Sequence, residues 1–464
     1  MRDLRKRSPA ALSNHWKLRS RISPIIGILA PAFFQSLEVC CVTGCQKTAQ
    51  EQAAADPFFL SAAMPAADLL ADGFYPHGRR MPFMGYSGVP ARDLTNGFTV
   101  AGPSYGNDVP YVRMCASNGW PVVAHISHGP RFTDKDPAKN YKLDEPALRS
   151  NVAAEVRALA PLKQIVWWAV QPEELRCWRK AEMQYLEIVT ETIRANDPLR
   201  RPIYIYNPNN RDAGSLALIA KFVDVIGKGC YVNSCGKKRD RAWVGWSIEQ
   251  EIAAIKTNDR PDAISIVMPE LCKDPEPGEE KEIRDWVRHD VYLGLVKGAK
   301  GMCLWSLFKR GEVKKTWQLW YDAYAGCGRE LNGGRGLGQV FLFGGEPSAK
   351  LDVKLVKGAA TAAVKLGGNA EPATTSEQER REREQKMPSW AAREFVYGGD
   401  HWIFLVNSAN DRATFEIAGW PAGASAENAF DSQPVELRAP IRLDLSAYGV
   451  AAIRFSRGKK VEPK

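Results

Sequence analysis

Short apolar, β-branched runs alternate with helical stretches eight times between about residues 73 and 325. That rhythm restricts the possible folds more than any other feature of the chain. The runs lie at 82–86, 97–101, 121–126, 164–170, 202–206, 222–226, 263–268 and 301–306. Most are near-continuously apolar, the pattern of parallel strands covered on both faces. Helical signals fill the gaps. Leu148, Val152, Val156 and Leu159 recur at helical spacing behind Asp144, an N-cap residue, with Pro146 in the first turn. Leu186, Val189 and Ile193 form a second stripe, Ser247 to Gln250 reads as a capping box, and Val287, Val291 and Leu295 precede Gly298. Eight such units in roughly 250 residues match the size and connectivity of a (β/α)8 TIM barrel. An open doubly wound sheet is the alternative, but no Gly-x-Gly-x-x-Gly follows the first strand.

After Gly338 the rhythm changes to short strand-like runs at 401–406, 413–417, 434–437 and 450–455, separated by turn residues. This predicts an all-β, sandwich-like C-terminal domain. The polar, mixed-sign stretch 371–387 reads as an exposed loop or short surface helix. The N-terminus reads as an export signal. A basic stretch ends at Arg21, an apolar run follows over 24–34, and Val42-Thr43-Gly44-Cys45 has the form of a lipobox whose cysteine receives lipid. A plain cleaved signal and an undecorated basic tail are the alternatives. The organisation is therefore an export signal over 1–45, a linker over 46–72, a barrel over 73–335 and a β-rich domain over 336–464. The expected location is periplasmic or cell-surface, with the membrane reached through a lipid on Cys45.

The formal charge is +10, but half belongs to the segment before Cys45, where seven Lys/Arg face Asp3 and Glu38. The remainder is too weakly basic for nucleic-acid binding, and no aromatic-and-basic motif of such a module is present. The ten cysteines show no Cys-x-x-Cys pair; Cys230 and Cys235 are either a small disulfide loop or ordinary buried thiols.

In a barrel of this type, chemistry sits just past the C-terminal ends of the strands. The fourth run is followed by Pro172-Glu173-Glu174 and the seventh by Pro269-Glu270. Two carboxyl groups at one barrel mouth are what glycosidic-bond cleavage needs, one to give a proton and one to attack. By strand count and rim position, 73–335 resembles the retaining glycoside hydrolases of clan A. The resemblance implies Glu270 as nucleophile and Glu174, or failing that Glu173, as acid/base; those enzymes usually carry Asn where Glu173 stands. It also implies Tyr231 near the nucleophile, Trp305 as a sugar-binding floor, a poly- or oligosaccharide substrate, and chemistry without a cofactor or metal. The supply of fourteen Trp suits a sugar-binding surface, although most are expected in the core.

Further rim candidates for substrate contacts are Tyr86, Tyr105, His125, His128, Tyr204, Tyr206, Asn207, Asn209 and Trp168. Trp167 and Trp168 are adjacent on one strand, so one must face the barrel axis and the other the helices. Three alternatives stand beside the glycosidase reading. Glu173 and Glu174 could merely stabilise a helix start. The barrel could bind carbohydrate without catalysis. A metal-dependent hydrolase would need His77, His125, His128 and acidic groups to converge, and no His-x-His or His-Glu-x-x-His spacing supports that.

Overall fold

A parallel sheet of seven strands curls around a common axis in the computed structural model, which describes residues 70–104, 108–128, 132, 142–233, 240–313, 315–365 and 384–457. A short pair, β1 (Leu70–Phe74) and β2 (Gly78–Arg80), precedes it, so the expected linker gives way to structure at Leu70. The curled sheet consists of β3 (Phe83–Gly85), β4 (Val122–Ile126), β5 (Ile165–Val170), β6 (Ile203–Asn207), β7 (Val225–Gly229), β8 (Ile264–Met268) and β9 (Met302–Leu304). Its order is β3-β9-β8-β7-β6-β5-β4. The lipobox with Cys45, Tyr105 and Cys235 lie outside the described residues.

The run expected at 97–101 occupies the eighth position without becoming a full strand. Thr99 N–H donates to the Phe83 carbonyl on one side, while Ala101 N–H donates to Pro121 and Val123 N–H to Ala101 on the other. These bonds close the gap between β3 and β4 and complete the barrel. Positive φ at Gly97 and Gly102 and the following Pro103 cut the pairing short. Gly97 also admits no side chain, since a Cβ there would stand 2.4 Å from the Ala325 carbonyl oxygen. The sixth run, expected at 222–226, is displaced to Val225–Gly229. Asp224 anchors its start, accepting from Ile203 N–H at 2.9 Å and pairing with Arg194 and Arg260.

The barrel helices are α1 (Pro90–Asp93), α2 (Asp108–Ser117), α3 (Glu145–Leu159), α4 (Lys180–Asn196), α5 (Ala213–Ala220), α6 (Ala242–Thr257), α7 (Ile283–Val296) and α8 (Trp317–Asn332). Asp144 caps α3 as the sequence implies, accepting from Ala147 N–H. The apolar stripe Leu148, Val152, Val156 and Leu159 is buried against the sheet. Alternation along the strands sorts side chains into two layers. Trp167, Ala169, Tyr204 and Tyr206 belong to the interior cluster, whereas Ile165, Trp168, Val170, Ile203 and Ile205 pack under the helices.

The region from 336 opens with a helix, α9 (Leu337–Phe343), before turning to β structure. Strands β13 (Trp390–Tyr397), β14 (Asp400–Asn407), β16 (Ala424–Asn428), β17 (Pro434–Val435) and β19 (Val450–Arg457) form an antiparallel sheet in the order β13-β14-β19-β16-β17. Strands β10 (Asp352–Lys357), β15 (Ala413–Ala418) and β18 (Ile441–Leu445) form a second. Along β14, Ile403 and Leu405 pack with Phe415 and Ile417 of the second sheet, while Trp402, Phe404 and Val406 join the cluster shared with the barrel helices. The Phe341 ring of α9 lies 4.3 Å from Phe404 and 5.5 Å from Phe395. A hairpin of β11 (Thr361–Lys365) and β12 (Glu384–Pro388) packs Val364 and Met387 on Trp243 and Trp246 of α6. The mixed-sign stretch expected as a loop or helix therefore ends in a strand; its part before 384 lies outside the described residues.

Lys300, just before β9, is half-buried as a residue, with its ammonium enclosed against the end of α9. It donates to the Phe341 and Leu342 carbonyls at 2.6 and 3.1 Å. Burial lowers its pKa to about 7, and the nearby Arg393 charge acts in the same direction. The unfolded chain keeps this proton up to about pH 10.4. Between those values the unfolded state binds more protons, so stability rises with pH, by at most about 1.4 kcal/mol per unit. Urea midpoints of the wild type relative to Lys300→Met, followed between about pH 7 and pH 9.5, should show that slope. A difference that does not change with pH would mean that Lys300 titrates as an ordinary exposed lysine.

Candidate active site at the barrel mouth

Glu270 lies two residues beyond β8 and is only 4% exposed. Its carboxylate accepts from the Asn233 backbone N–H through one oxygen and from the Cys272 thiol at 3.0 Å through the other. Tyr324 O–H donates to its backbone carbonyl at 3.0 Å. Donors on both oxygens fix the direction of the group. Its backbone also pairs with Trp305, one residue past β9, in a parallel bridge.

Glu173 and Glu174 follow β5 and diverge. Glu173 accepts from Tyr86 O–H at 3.2 Å, and Tyr86 in turn meets Tyr204 O–H at 3.1 Å. Glu174 adopts φ +60°, a left-handed conformation that costs a side-chain-bearing residue on the order of 1 kcal/mol. Its backbone N–H donates to the Tyr206 carbonyl. Desolvation raises the Glu174 pKa, offset in part by a hydrogen bond from Tyr206 and by the Arg211 charge. Glu173 is not among the causes of the rise; its carboxylate accepts from Tyr86 instead.

An aromatic line joins the two sides of the mouth. The Tyr206 and Tyr231 rings stack at 6.3 Å, and Tyr231 and Trp305 at 5.2 Å. The Arg310 guanidinium lies 3.8 Å from the centre of a Trp305 ring and donates to Ser306 Oγ at 3.3 Å. His125 shares the inward parity of Val123 on β4, stands 6.3 Å from the Tyr86 ring and holds the Ser104 carbonyl at 2.7 Å through Nδ1. Glu173, Glu174, Glu270, Tyr86, Tyr204, Tyr206, Tyr231, His125 and Trp305 thus occupy the strand-end region.

Three rim candidates do not. Trp168 is 0% exposed beneath the helix layer, where its indole N–H donates to Asp197 at 2.8 Å and Arg201 lies over its ring. Asn207 follows inward-facing Tyr206 and points outward, its amide donating to the Ile205 and Gly227 carbonyls. Both are corrections imposed by strand alternation. His128 is drawn off by a contact of its Nε2 with the Glu155 carboxylate of α3. Among the described residues no three His, Cys, Asp or Glu side chains are grouped to hold a metal ion. Cys230 is a buried free thiol, its pKa pushed up to about 12 by desolvation.

Sequence reasoning missed Asn233, Cys272, Tyr324, Arg211 and Arg310. Only Cys272, two residues after Glu270, carried a positional hint. A groove of 490 Å³ between α7 and α8, lined in part by Arg284, Arg288, Asp322 and Arg329, shares no residue with the strand-end cluster.

Fold and site together define a (β/α)8 barrel with C-terminal antiparallel sheets and three glutamates at the barrel mouth, of which Glu270 is buried and Glu174 exposed. No family model and no curated protein sequence matches the chain. Among solved structures it is similar to a GH27 β-L-arabinopyranosidase from Geobacillus stearothermophilus, at 9% identity, 82% coverage of this chain, 97% of that chain and a TM-score of 0.47. It is also similar to an α-amylase from Geobacillus thermoleovorans complexed with acarbose, at 8% identity, 82% and 99% coverage and a TM-score of 0.44. A third is a glucosidase from Croceicoccus marinus, at 11% identity, 84% and 98% coverage and a TM-score of 0.37.

Proposed function

We propose that this chain is a retaining glycoside hydrolase acting on a poly- or oligosaccharide, with Glu270 as nucleophile and Glu174 as acid/base. The observation that carries the reading is the contrast between the two carboxyl groups. Glu270 is buried, with a donor on each oxygen to aim it, whereas Glu174 stands exposed at the rim with its pKa raised by desolvation. That contrast supports an aimed nucleophile and a proton donor within reach of the leaving group. In the first step Glu174 gives its proton to the glycosidic oxygen as a Glu270 oxygen bonds to the anomeric carbon and the leaving group departs. In the second, Glu174 takes a proton from water, which attacks the same carbon and releases Glu270. In this reading Glu173, whose carboxylate accepts from Tyr86, contacts a sugar hydroxyl.

The test is a panel of aryl glycosides and polysaccharides, with the anomeric configuration of the first-formed product read by proton NMR. Retention supports the mechanism, inversion replaces it with a single displacement, and binding without hydrolysis leaves a carbohydrate-binding barrel. Trp305→Ala should raise KM by about tenfold, equivalent to about 1.4 kcal/mol of lost ring contact, with little change in Tm. A variant that unfolds while KM is unchanged would place Trp305 in the core.

The proposal includes export with a lipid on Cys45, supported by the order of basic stretch, apolar run and Val42-Thr43-Gly44-Cys45. Cys45→Ala should then abolish labelling by a fatty-acid analogue and move the protein from the membrane to the soluble fraction. Unaltered fractionation and labelling would end the claim.

A further inference from the structure

Behind Glu270 a chain of buried polar contacts runs through the barrel wall into the C-terminal sheets. Asn233, whose backbone N–H holds the Glu270 carboxylate, also accepts through its side-chain oxygen from Arg241 Nη2 at 3.0 Å. Arg241 precedes α6 and is 0% exposed. Its Nη1 donates to Asp290 Oδ2 at 2.5 Å, and its guanidinium lies over Trp286 and Tyr448. The other Asp290 oxygen meets His289 Nδ1 at 2.8 Å, and His289 Nε2 meets Ser408 Oγ at 2.9 Å. Ser408 follows β14, so the chain joins elements on both sides of residue 336.

Ser408, His289 and Asp290 are spaced like a nucleophilic triad, but all three are buried, at 2%, 0% and 5% exposure, and no substrate can reach them. Burial lowers the His289 pKa, so the ring is neutral and can donate from Nδ1 to Asp290 while accepting the Ser408 hydroxyl proton at Nε2. That leaves Arg241 and Asp290 as a matched buried ion pair. Such a pair adds little net stability compared with apolar packing, and its value lies in directed bonds. The fork of Arg241 spends one arm on Asp290 and the other on the residue whose backbone holds Glu270.

We propose that Arg241 is a positioning residue for Glu270, and that the C-terminal sheets act on catalysis by locking Arg241 through Ser408, His289 and Asp290. The proposal rests on Glu270 being the nucleophile. Arg241 orients Asn233; the Asn233 N–H then sets the angle of the Glu270 carboxylate; and Ser408 restrains the far end. Misplacing a reacting group by about 1 Å costs on the order of 100-fold in rate. Because Arg241 is fully enclosed, the loss should fall on kcat and leave KM nearly unchanged.

Two readouts test this on the full chain. Hydrogen exchange, followed by mass spectrometry on the peptide carrying the Asn233 amide, needs no substrate. Steady-state kinetics use whichever aryl glycoside the wild type hydrolyses. Arg241→Met should expose the Asn233 amide to exchange at least about tenfold faster and lower kcat about 100-fold. Arg241→Lys keeps the cation but not the fork and should fall between it and the wild type. Ser408→Ala should lower kcat by severalfold with KM unchanged. If Arg241→Met does not fold, Arg241→Lys and Ser408→Ala carry the test. Wild-type exchange and wild-type kcat in Arg241→Lys overturn the positioning role, and wild-type values in Ser408→Ala overturn the part played by the C-terminal sheets. If the wild type hydrolyses no glycoside, the glycosidase reading fails by itself, and the exchange experiment still decides whether Arg241 holds Asn233 and Glu270 together.

Discussion

Glu270→Gln is expected to lower turnover by on the order of 10⁴-fold or more, while the folded structure and its Tm change little. The substitution is nearly isosteric. The amide oxygen can still accept from the Asn233 N–H, so that contact to the side chain survives. What is lost is the negative charge that forms the bond to the anomeric carbon. Removing an attacking group from a preorganised hydrolytic site leaves only the rate supplied by binding and the surrounding dipoles. A 2-deoxy-2-fluoro glycoside with a good leaving group should glycosylate the wild type, with loss of that leaving group, and the fluorosugar should be found on a peptide containing Glu270. Labelling of another carboxylate, or full turnover by Glu270→Gln, would remove Glu270 from the mechanism.

Glu174→Ala should show a loss that depends on the leaving group. With a phenyl glycoside, which needs protonation, kcat/KM should fall by roughly 10² to 10⁴. With a dinitrophenyl glycoside the first step needs little help, and the second, slowed by loss of the base, should be restored by azide with formation of a glycosyl azide of retained configuration. The pH profile is a separate check. Desolvation raises the Glu174 pKa above that of an ordinary carboxyl, so the acid form persists to higher pH and its ionisation sets the basic limb of kcat/KM. Glu174→Ala should flatten that limb. If Glu173→Ala flattens it instead, the acid is the carboxyl held by Tyr86 and the two roles exchange.

Much of the mouth could be read before the fold was known because strand alternation and chain direction are local rules. Tyr204 and Tyr206 differ by two positions and face the interior together; Asn207 follows Tyr206 and faces the helices. The same rule separates Trp167 from Trp168, and its consistent use would have removed Trp168 and Asn207 from the substrate contacts. The carboxylates at 173, 174 and 270 were found because the ends of parallel strands collect at one rim whatever the loops do.

The sequence by itself determined the eightfold strand–helix order, the strand-rich region after it and the glutamates that follow the fourth and seventh barrel positions. Each of these is encoded in runs of a few neighbouring residues, where periodicity and chain direction suffice. Only the tertiary structure decided what surrounds those glutamates. Asn233 meets Glu270 across 37 positions, Arg241 meets Asp290 across 49, and His289 meets Ser408 across 119. Lys300 ends against the carbonyls of α9 some 41 positions away. In sequence these are ordinary polar residues, because a side chain's hydrogen-bonding partners and its loss of water depend on long-range packing, for which no local pattern exists.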